Sequence, residues 1–494
     1  MKKFANSRPI PFVALSMAAG VLLGYFGGVI SPFIPIIGLA VLSVLSIGLY
    51  FAYKTRKNLT VSLVVILFFC LGAILITNAI NVYQSAVPYD GKTLQVEGTV
   101  EDVKLIDEDL VGLTLSDVRI NDERVSFKIF AYVSSDRFSR GETIIFSEKL
   151  TYKSINPQNL ESNTPLSVTV KNGRVSAEDS KARFTLFNLV SRVIRKNLKG
   201  DSAAICLGVL LGDTSYFKES TLLNYQMSGV CHVFAVSGLH VAFFSSIILR
   251  VLSLFKVKGI KSTVLSTFFT LLYAGVCGFP YSAIRATIMM AVLSLAKAFG
   301  RKYDGINSLF FSFSVILLIF PAAIFSYGFW LSFLAVIGIN TLSRNVESAL
   351  SFMPGFLSSS LSVSVAVSVI TTPLLMQMSG YMSIIVIFLN VIIIPMITFL
   401  YSLTFVVTLI AAIFPFMGFL FALPKWVATF INGFMGFFDF ERFLLYGKIS
   451  LFALLLYYLL YAVFSNRTNF PKYVKITAGV LSLVTVALSS GGLI

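Results

Sequence analysis

Charged side chains are scarce in this chain of 494 residues: they make up 13% of it, whereas 56% of the residues are hydrophobic. A soluble globular protein carries about 25% charged residues, so the composition excludes an ordinary soluble domain. Several apolar runs exceed the roughly 18 residues that cross a bilayer as a helix. These runs cover residues 10–30, 61–80, 306–342, 358–378, 382–412 and 474–492. The sequence predicts a polytopic α-helical membrane protein with about 11–13 spans.

Histidine and cysteine are equally scarce, with two histidines and four cysteines in the whole chain. The cysteines are scattered in apolar segments without a CxxC pair, which excludes the spacing of a zinc ribbon or a disulfide framework. Two histidines without further ligands do not complete a structural zinc site. The chain also lacks a GxxxxGK[ST] nucleotide loop. We therefore expect no metal, no cofactor and no ATP hydrolysis by the chain itself.

The charge that is present is unevenly distributed. Residues 90–180 hold 16 Asp and Glu against 11 Lys and Arg, a net of −5, although the whole chain has a net charge of +16. The acidic segment alternates apolar and polar residues in five short runs, and Asn121-Asp122, Arg140-Gly141 and similar pairs separate the runs. Such alternation between turn signals predicts β-strands. The sequence therefore predicts that this segment is an inserted small β-barrel domain, and an OB-like barrel is one option.

Basic residues beside short loops indicate which loops are cytoplasmic. Lys2, Lys3 and Arg8 place the N-terminus inside, and "KTRKN" at 54–58 marks the next cytoplasmic loop. With a second span at 33–53 and a third at 60–80, the β domain is expected to be extracytoplasmic. The segment at 181–200 combines apolar positions at helical spacing with four basic residues, which is typical of a helix lying along a bilayer interface. An ordinary surface connector is the alternative.

Polar residues inside the apolar body are the candidate site, because such residues are costly in a membrane and usually face a cavity. Both histidines, His232 and His240, lie in "HVFAVSGLHV". On a straight helix Ser228, Gly229 and Ser237 lie with them in a polar, small-residue stripe. Gly238 is a candidate break in that helix, which is tolerated where neighbouring groups or cavity water satisfy the freed backbone. The stripe is consistent with helix packing, with a conduit, or with nucleophilic chemistry by Ser237 and His240.

Two further positions belong to this set. Asp213 follows an apolar run of about ten residues, too short to span a bilayer, so it either ends a half-helix or caps a helix at a loop. Arg285 lies five residues into the apolar segment after Gly278 and Pro280, where it needs a wet cavity, a carboxylate or a phosphate, unless it snorkels to the surface. Nearby aromatic residues are candidates for stacking nucleic-acid bases: Phe279, Tyr281 and Trp330.

Several motifs in the same order resemble the ComEC family, the inner-membrane proteins of bacterial competence that move one DNA strand into the cytoplasm. They are "LLGD" (210–213), "SGVCHVFAVSGLHVAF" (228–243), "YSAIRATIMM" (281–290), "GRKYDGINSL" (300–309), "YGFWLSFLAVIGI" (327–339) and "TTPLLMQMSGYMSIIVIFLNVIIIPM" (371–396). Three features depart from the family pattern. Tyr327 and Trp330 replace an expected acidic residue and a glutamine, no zinc motif of a metallo-β-lactamase-like domain follows the last apolar run, and the β domain is acidic.

The resemblance implies a multi-pass channel in the bacterial cytoplasmic membrane that passes single-stranded DNA during natural transformation. It implies that Asp213, Ser228, Gly229, His232, Ser237, Gly238, His240 and Arg285 line or shape the pore. A separate DNA receptor outside and an ATP-driven motor inside are the expected partners, and no catalytic residue is assigned. The alternatives are a membrane-embedded hydrolase that uses Ser237 and His240, and a secondary transporter of a small anion.

The expected domains follow from this interpretation. They are N-terminal transmembrane helices at 1–85, the OB-like β domain at 88–178, the amphipathic interfacial helix at 181–200 and a competence-type transmembrane channel domain at 201–494.

Overall fold

The computed structural model describes residues 10–29, 56–107, 110–134, 138, 140–170, 176–177 and 186–464, which are mostly helical. The helices are α1 Ile10–Val29, α2 Arg56–Gln84, α3 Pro157–Ser162, α4 Leu186–Asn197, α5 Gly200–Leu211, α6 Glu219–Met227, α7 Gly238–Leu254, α8 Gly259–Val276, α9 Tyr281–Ala298, α10 Gly305–Ile319, α11 Tyr327–Ala349, α12 Gly355–Ser379, α13 Val386–Ile413, α14 Ala422–Gly436 and α15 Leu451–Phe464. The strands are β1 Thr93–Asp107, β2 Leu110–Ile120, β3 Glu123–Arg124, β4 Ile129–Val133, β5 Thr143–Lys149, β6 Thr151–Tyr152, β7 Leu166–Val170, β8 Ser176–Ala177, β9 Tyr381–Ser383 and β10 Leu444–Tyr446.

Eight helical stretches within the described residues are long and apolar enough to cross a membrane. They are Ile10–Val29, Val64–Tyr89, Cys231–Leu254, Gly259–Val276, Tyr281–Ala298, Gly355–Ser379, Val386–Ile413 and Pro415–Gly436. The prediction of a polytopic helical membrane protein with an inserted β domain is confirmed. Two of the predicted crossings, at 33–53 and 474–492, lie outside the described residues. The apolar run at 306–342 is divided between α10 and α11, because Pro321 begins a 3₁₀ turn between them and cannot continue the backbone hydrogen bonds of a helix.

The β domain is a curled half-barrel. Its strand order is β6-β7-β4-β2-β1-β5-β8, and β3 pairs with β2. The pairing of β4 with β7 is parallel, whereas β1 pairs antiparallel with both β2 and β5. Only Leu150 separates β5 from β6, so one nearly continuous segment pairs with β1 through β5 and with β7 through β6. The predicted turn at Asn121-Asp122 has φ values of 49° and 69°, a left-handed conformation that these two residue types tolerate.

Alternating side chains of these strands form the core of the β domain. Its fully buried members include Val96, Leu113, Leu115, Val118, Ile129, Leu150 and Leu166. The strands β4 and β7 alternate buried and more exposed residues along their length. This is the pattern from which the sequence predicted strands.

The described chain separates into two compact units. The first, here called the histidine unit, contains residues 197–240 and 327–464. The second, the sheet unit, contains residues 10–196 and 241–326, including the β domain. The helix α7 begins in the histidine unit, and its residues from Val241 onward belong to the sheet unit.

Helix packing inside each unit sets the framework of the candidate site. In the histidine unit, α5 contacts α13 and α14, and α12 contacts α11, α13 and α15. In the sheet unit, α1 packs along α2. The helix α9 contacts both α8 and α10. A Cβ atom at Gly24 would lie 2.9 Å from the Cα of Ala73, so this small residue allows the backbones of α1 and α2 to approach closely.

The amphipathic helix α4 buries Phe187, Ser191 and Ile194 and carries Arg195 and Lys196 in its last turn. It lies within the segment predicted to be interfacial. The predicted position of that segment along a bilayer surface, and the domain boundaries given above, stay predictions.

Candidate functional site

The helix α5 leads into the site and ends abruptly. It has 12 residues, so it is about 18 Å long at 1.5 Å per residue, well short of the bilayer core. Gly212 ends it with a φ of 73°, the left-handed C-cap conformation that glycine adopts without strain. A Cβ atom here would lie 3.3 Å from Val236 Cγ2, so this turn lies directly against the segment that carries the histidines.

Asp213 follows this turn and is buried, with 3% of its surface exposed. One of its carboxylate oxygens, Oδ1, accepts hydrogen bonds from the backbone N–H of Ser215 at 3.1 Å and from the Ser215 hydroxyl at 2.6 Å. The carboxylate therefore stabilises the loop to which it belongs. A negative charge beside a helix C-terminus is electrostatically unfavourable, so this local pair of donors is needed to hold it.

Residues 228–237 form a break between α6 and α7, and this corrects the interpretation of a straight polar stripe. Only Cys231–Phe234 form a 3₁₀ turn, so His232 and His240 do not share one helix face. The physical reason is Gly229, whose φ of 80° is incompatible with a continuing right-handed helix. A Cβ atom at Gly229 would lie 3.0 Å from Val386 Cγ2, so the break is packed on the start of α13.

The break satisfies its backbone groups with its own side chains. The buried Ser228 hydroxyl donates to the carbonyl of Tyr225 at 2.8 Å and accepts from the N–H of Val230 at 3.3 Å. His232 is exposed, and its Nδ1 lies 3.1 Å from the carbonyl oxygen of Gly229. Non-helical backbone in a membrane protein requires such internal partners or a water-filled cavity.

Ser237 and His240 form the start of α7. The backbone N–H of Ser237 donates to Nδ1 of His240 at 3.0 Å, and the Ser237 hydroxyl lies 3.3 Å from the same nitrogen. With Ser237 at the N-cap, Gly238 is the first helical residue and His240 the third. This is the geometry of a capping box, in which the third side chain reaches back to the N-cap amide. Because Nδ1 accepts from an amide, the proton of a neutral imidazole is on Nε2.

This arrangement bears on the hydrolase interpretation. A general base needs a free lone pair directed at the nucleophile's hydroxyl. The lone pair of His240 Nδ1 is engaged by the Ser237 amide, which lies closer than the Ser237 hydroxyl. The geometry thus favours a helix-capping role for the pair over activation of Ser237.

Tyr401 of α13 braces His240 from the other side. The two rings are 4.4 Å apart between centroids. The Tyr401 hydroxyl donates a long, 3.4 Å hydrogen bond to the carbonyl oxygen of His240. Tyr401 is fully buried, so its ring fixes the first turn of α7 against α13.

An aromatic cluster lies beneath the break. The ring of Phe234 is 4.7 Å from that of Phe217 and 4.8 Å from that of Tyr225. Gly208 of α5 faces the same cluster, where a Cβ atom would lie 3.0 Å from both Phe217 and Phe234. Burial raises the pKa of Tyr225, and the nearby charge of Asp201 raises it further, so the phenol stays neutral.

The structure brings together most of the predicted residues. All seven lie in the histidine unit, on the two loops that meet at Gly212 and Val236 or in the first turn of α7: Asp213, Ser228, Gly229, His232, Ser237, Gly238 and His240. Trp330 is also in this unit but belongs to a different cluster, around α12 and α15. Phe279, Tyr281 and Arg285 lie in the sheet unit. Arg285 is buried in α9 with 7% of its surface exposed, whereas Phe279 is half exposed.

Sequence reasoning missed the residues that hold the site from a distance. Tyr401 is 161 positions from His240, and nothing near it in the sequence distinguishes it from the other aromatic residues. Asn390, a polar residue in the middle of an apolar run, instead joins α13 to α12, where its amide donates to the Ser364 hydroxyl at 3.3 Å. Within the part of the chain that the structure describes, no group of three or more His, Cys, Asp or Glu is positioned to hold a metal.

Comparison with known proteins gives three findings. Residues 209–468 match the family described as "Competence protein". The chain is 28% identical over 202 residues to "ComE operon protein 3" of Bacillus subtilis (strain 168). The aligned region covers 41% of this chain and 26% of that protein. The chain is also 27% identical over 274 residues to an uncharacterized protein of Aquifex aeolicus (strain VF5). That aligned region covers 53% of this chain and 62% of that protein. The chain thus spans less than two thirds of either relative, and no solved structure matches it.

Proposed function

The chain belongs to the competence protein family, and on that premise we propose that it passes single-stranded DNA through the bacterial cytoplasmic membrane during natural transformation. The observation that carries the proposal is the break at 228–237. It lies in the region that matches the family and overlaps the start of the apolar span Cys231–Leu254. Its ten residues include both His232 and the Ser237 partner of His240. Polar, non-helical backbone at such a position is tolerated where it borders protein or a water-filled route.

The break and the loop of Asp213 form one wall of the proposed conduit. Their backbone and side-chain hydrogen bonds keep the wall rigid, and His232 presents an exposed polar edge. Within the sheet unit, Arg285 is the buried cation of α9, and a guanidinium group is suited to bind a phosphate group. The acidic β domain is a poor electrostatic partner for DNA, so we assign it no role in strand binding.

The conduit needs other proteins to work in a cell. A receptor on the outer side would deliver the strand, and an ATP-driven motor on the inner side would pull it, because the sequence contains no nucleotide loop of the P-loop type. The N-terminus would be cytoplasmic and the β domain extracytoplasmic, as the basic loops indicate.

Uptake into proteoliposomes tests the proposal. Vesicles containing the purified chain are mixed with a fluorescent single-stranded oligonucleotide, and the nuclease-protected fraction is measured. We expect protected DNA with the wild-type chain, and protection close to that of empty vesicles with Arg285→Ala and His240→Ala variants that insert normally. Wild-type protection equal to that of empty vesicles would contradict the proposal, and wild-type protection in both variants would contradict the site.

The same vesicles separate the alternatives. Uptake of small radiolabelled anions without uptake of DNA would indicate a secondary transporter. Labelling of Ser237 by a serine-reactive phosphonate would indicate a hydrolase, the second candidate, which the 3.3 Å distance between the Ser237 hydroxyl and His240 keeps in consideration.

A further inference from the structure

The sheet unit contains a second break, at residues 277–280, and its backbone is strained. The helix α8 ends at Val276, and Gly278 and Phe279 both have left-handed backbone conformations, with φ values of 83° and 54°. For a bulky residue such as Phe279 this conformation is strained and persists only where surrounding contacts enforce it. The helix α9, which carries Arg285, begins immediately afterwards at Tyr281.

The β domain contacts this break through one carboxyl group. The carboxyl group of Glu161, on the short helix α3, lies near the hydroxyls of Tyr281 and Ser326, and, against the burial that raises its pKa, both hydroxyls lower this pKa by favouring the charged form. Tyr281 is the first residue of α9, and Ser326 ends the 3₁₀ turn Pro321–Phe325 that follows α10. A single side chain of the β domain therefore lies near both the start of α9 and the end of the 3₁₀ turn that follows α10.

Neighbouring contacts reinforce this connection. The helix α3 packs against the 3₁₀ turn Pro321–Phe325. The ring of Tyr281 lies 6.0 Å from the ring of Phe320 in an edge-on arrangement, so the tyrosine is held at both its hydroxyl and its ring. Lys104 of β1 is close enough to Glu161 to favour its charged form.

A second side chain of the β domain approaches the same break. Arg140 lies beside Gly278, where a Cβ atom would be 3.9 Å from its Nη1. This guanidinium is itself fixed, because it pairs with Asp102 of β1 and lies over the ring of Phe187 with 4.9 Å between its Cζ and the ring centroid. The break is thus held at both ends by residues of the β domain and its connector.

We propose that the β domain is a brace for the helix that carries Arg285, and that Glu161 is the positioning residue of this brace. By holding the Tyr281 hydroxyl, Glu161 fixes where α9 begins and how it is rotated. Arg285 follows four residues later, about one helical turn along the same face, so its guanidinium is placed by the same contact. The proposal rests on the proposed function only for the role of Arg285, because the brace itself is a property of the fold.

Hydrogen exchange of the full chain in detergent tests the brace directly. Loss of the acceptor in Glu161→Ala leaves two hydroxyls without their partner, which corresponds to roughly tenfold faster exchange of the amides at 278–286. Tyr281→Phe, which removes one hydroxyl, is expected to change exchange in the same direction by less. Glu161→Gln keeps an acceptor oxygen and is expected to restore slow exchange. Glu123→Ala, at an exposed site on β3, is the matched control and is expected to leave this segment unchanged.

The outcomes separate the brace from the channel. Wild-type exchange at 278–286 in both Glu161→Ala and Tyr281→Phe would overturn the brace, and so would equally fast exchange in Glu161→Gln and Glu161→Ala. DNA uptake is measured on the same proteins, where we expect loss in Glu161→Ala and recovery in Glu161→Gln. Normal uptake by Arg285→Ala would instead overturn the proposed function of that arginine and leave the exchange result to decide the brace.

Discussion

The two breaks between helices, at 228–237 in the histidine unit and at 277–280 in the sheet unit, are stabilised in different ways. The first uses its own side chains as caps, with Ser228 bonded within the segment and His240 bonded back to Ser237. The second contains a strained Phe279 and is held by Glu161 and Arg140, which are more than 100 positions away. Local hydrogen bonds can preform the first break, whereas the second depends on the folding of the β domain.

The largest expected effect is the loss of stability when the first break loses its contact with Tyr401 of α13. Tyr401→Ala removes a fully buried ring from beside His240, and truncation of a buried aromatic residue costs about 3–5 kcal/mol. Tyr401→Phe keeps the ring and loses only the 3.4 Å hydrogen bond, at a cost of about 1 kcal/mol or less. Denaturant unfolding in detergent measures both, and equal stabilities of the two variants would show that the ring does not brace the helix.

The next effect concerns the turn itself. Gly229→Ala forces an L-residue into a φ of 80° and brings its Cβ to 3.0 Å from Val386, which together cost at least about 1–2 kcal/mol. Gly433→Ala is the control, because that position lies in α14 with nothing within 4 Å. There alanine is neutral or stabilises by about 0.5–1 kcal/mol. Equal unfolding free energies for the two variants would contradict the tight packing of the break.

A smaller effect distinguishes capping from catalysis at His240. His240→Ala removes the acceptor for the Ser237 amide, at a cost of about 1 kcal/mol, and also removes the buried ring that packs on Tyr401. His240→Gln supplies the acceptor of a usual capping box, so we expect it to recover both stability and DNA uptake. If Gln is as defective as Ala in uptake while its stability is restored, the imidazole has a chemical role beyond capping.

The smallest effect is a dependence of stability on pH that arises from Glu161 at the second break. Burial raises the pKa of Glu161 above its ordinary value of 4.5, against the hydrogen bonds from Ser326 and Tyr281 and the charge of Lys104, which lower it. The folded state then binds more protons than the unfolded state above pH 4.5, so stability falls as the pH rises towards the raised pKa. The difference in melting temperature between wild type and Glu161→Gln is expected to change across this window, and a constant difference would refute the assignment.

The sequence was sufficient where the determining interactions are local. Alternation in β4 and β7 predicted strands, and Asn121-Asp122 predicted a turn, because period and turn chemistry are readable within a few residues. The apolar runs predicted the membrane helices for the same reason. The polar residues at 228–240 are also noticeable in the sequence, since polarity within an apolar segment is a local signal, but their role in a site stays a prediction.

The sequence was insufficient where one residue depends on another far along the chain. The straight-helix interpretation of 228–240 was wrong because Gly229 takes a left-handed conformation that is packed against α13, and no nearby residue indicates this packing. Glu161 resembled any surface carboxylate of an acidic domain, and its partners Tyr281 and Ser326 lie more than 100 positions away. Such contacts follow from the tertiary fold and leave no periodic pattern.

The central claim is that the break at 228–237 borders a water-accessible route for DNA, and cysteine accessibility at His232 tests it most directly. In a chain with its four native cysteines replaced, His232→Cys is exposed to a membrane-impermeant thiol reagent with and without a single-stranded oligonucleotide. Phe399→Cys, on the apolar exposed side of α13, is the lipid-facing control. We predict that the thiol introduced by His232→Cys is labelled, that the oligonucleotide slows its labelling, and that the thiol of the control variant is unreactive. Absence of labelling in the His232→Cys variant, or labelling that the oligonucleotide leaves unchanged, would contradict the claim.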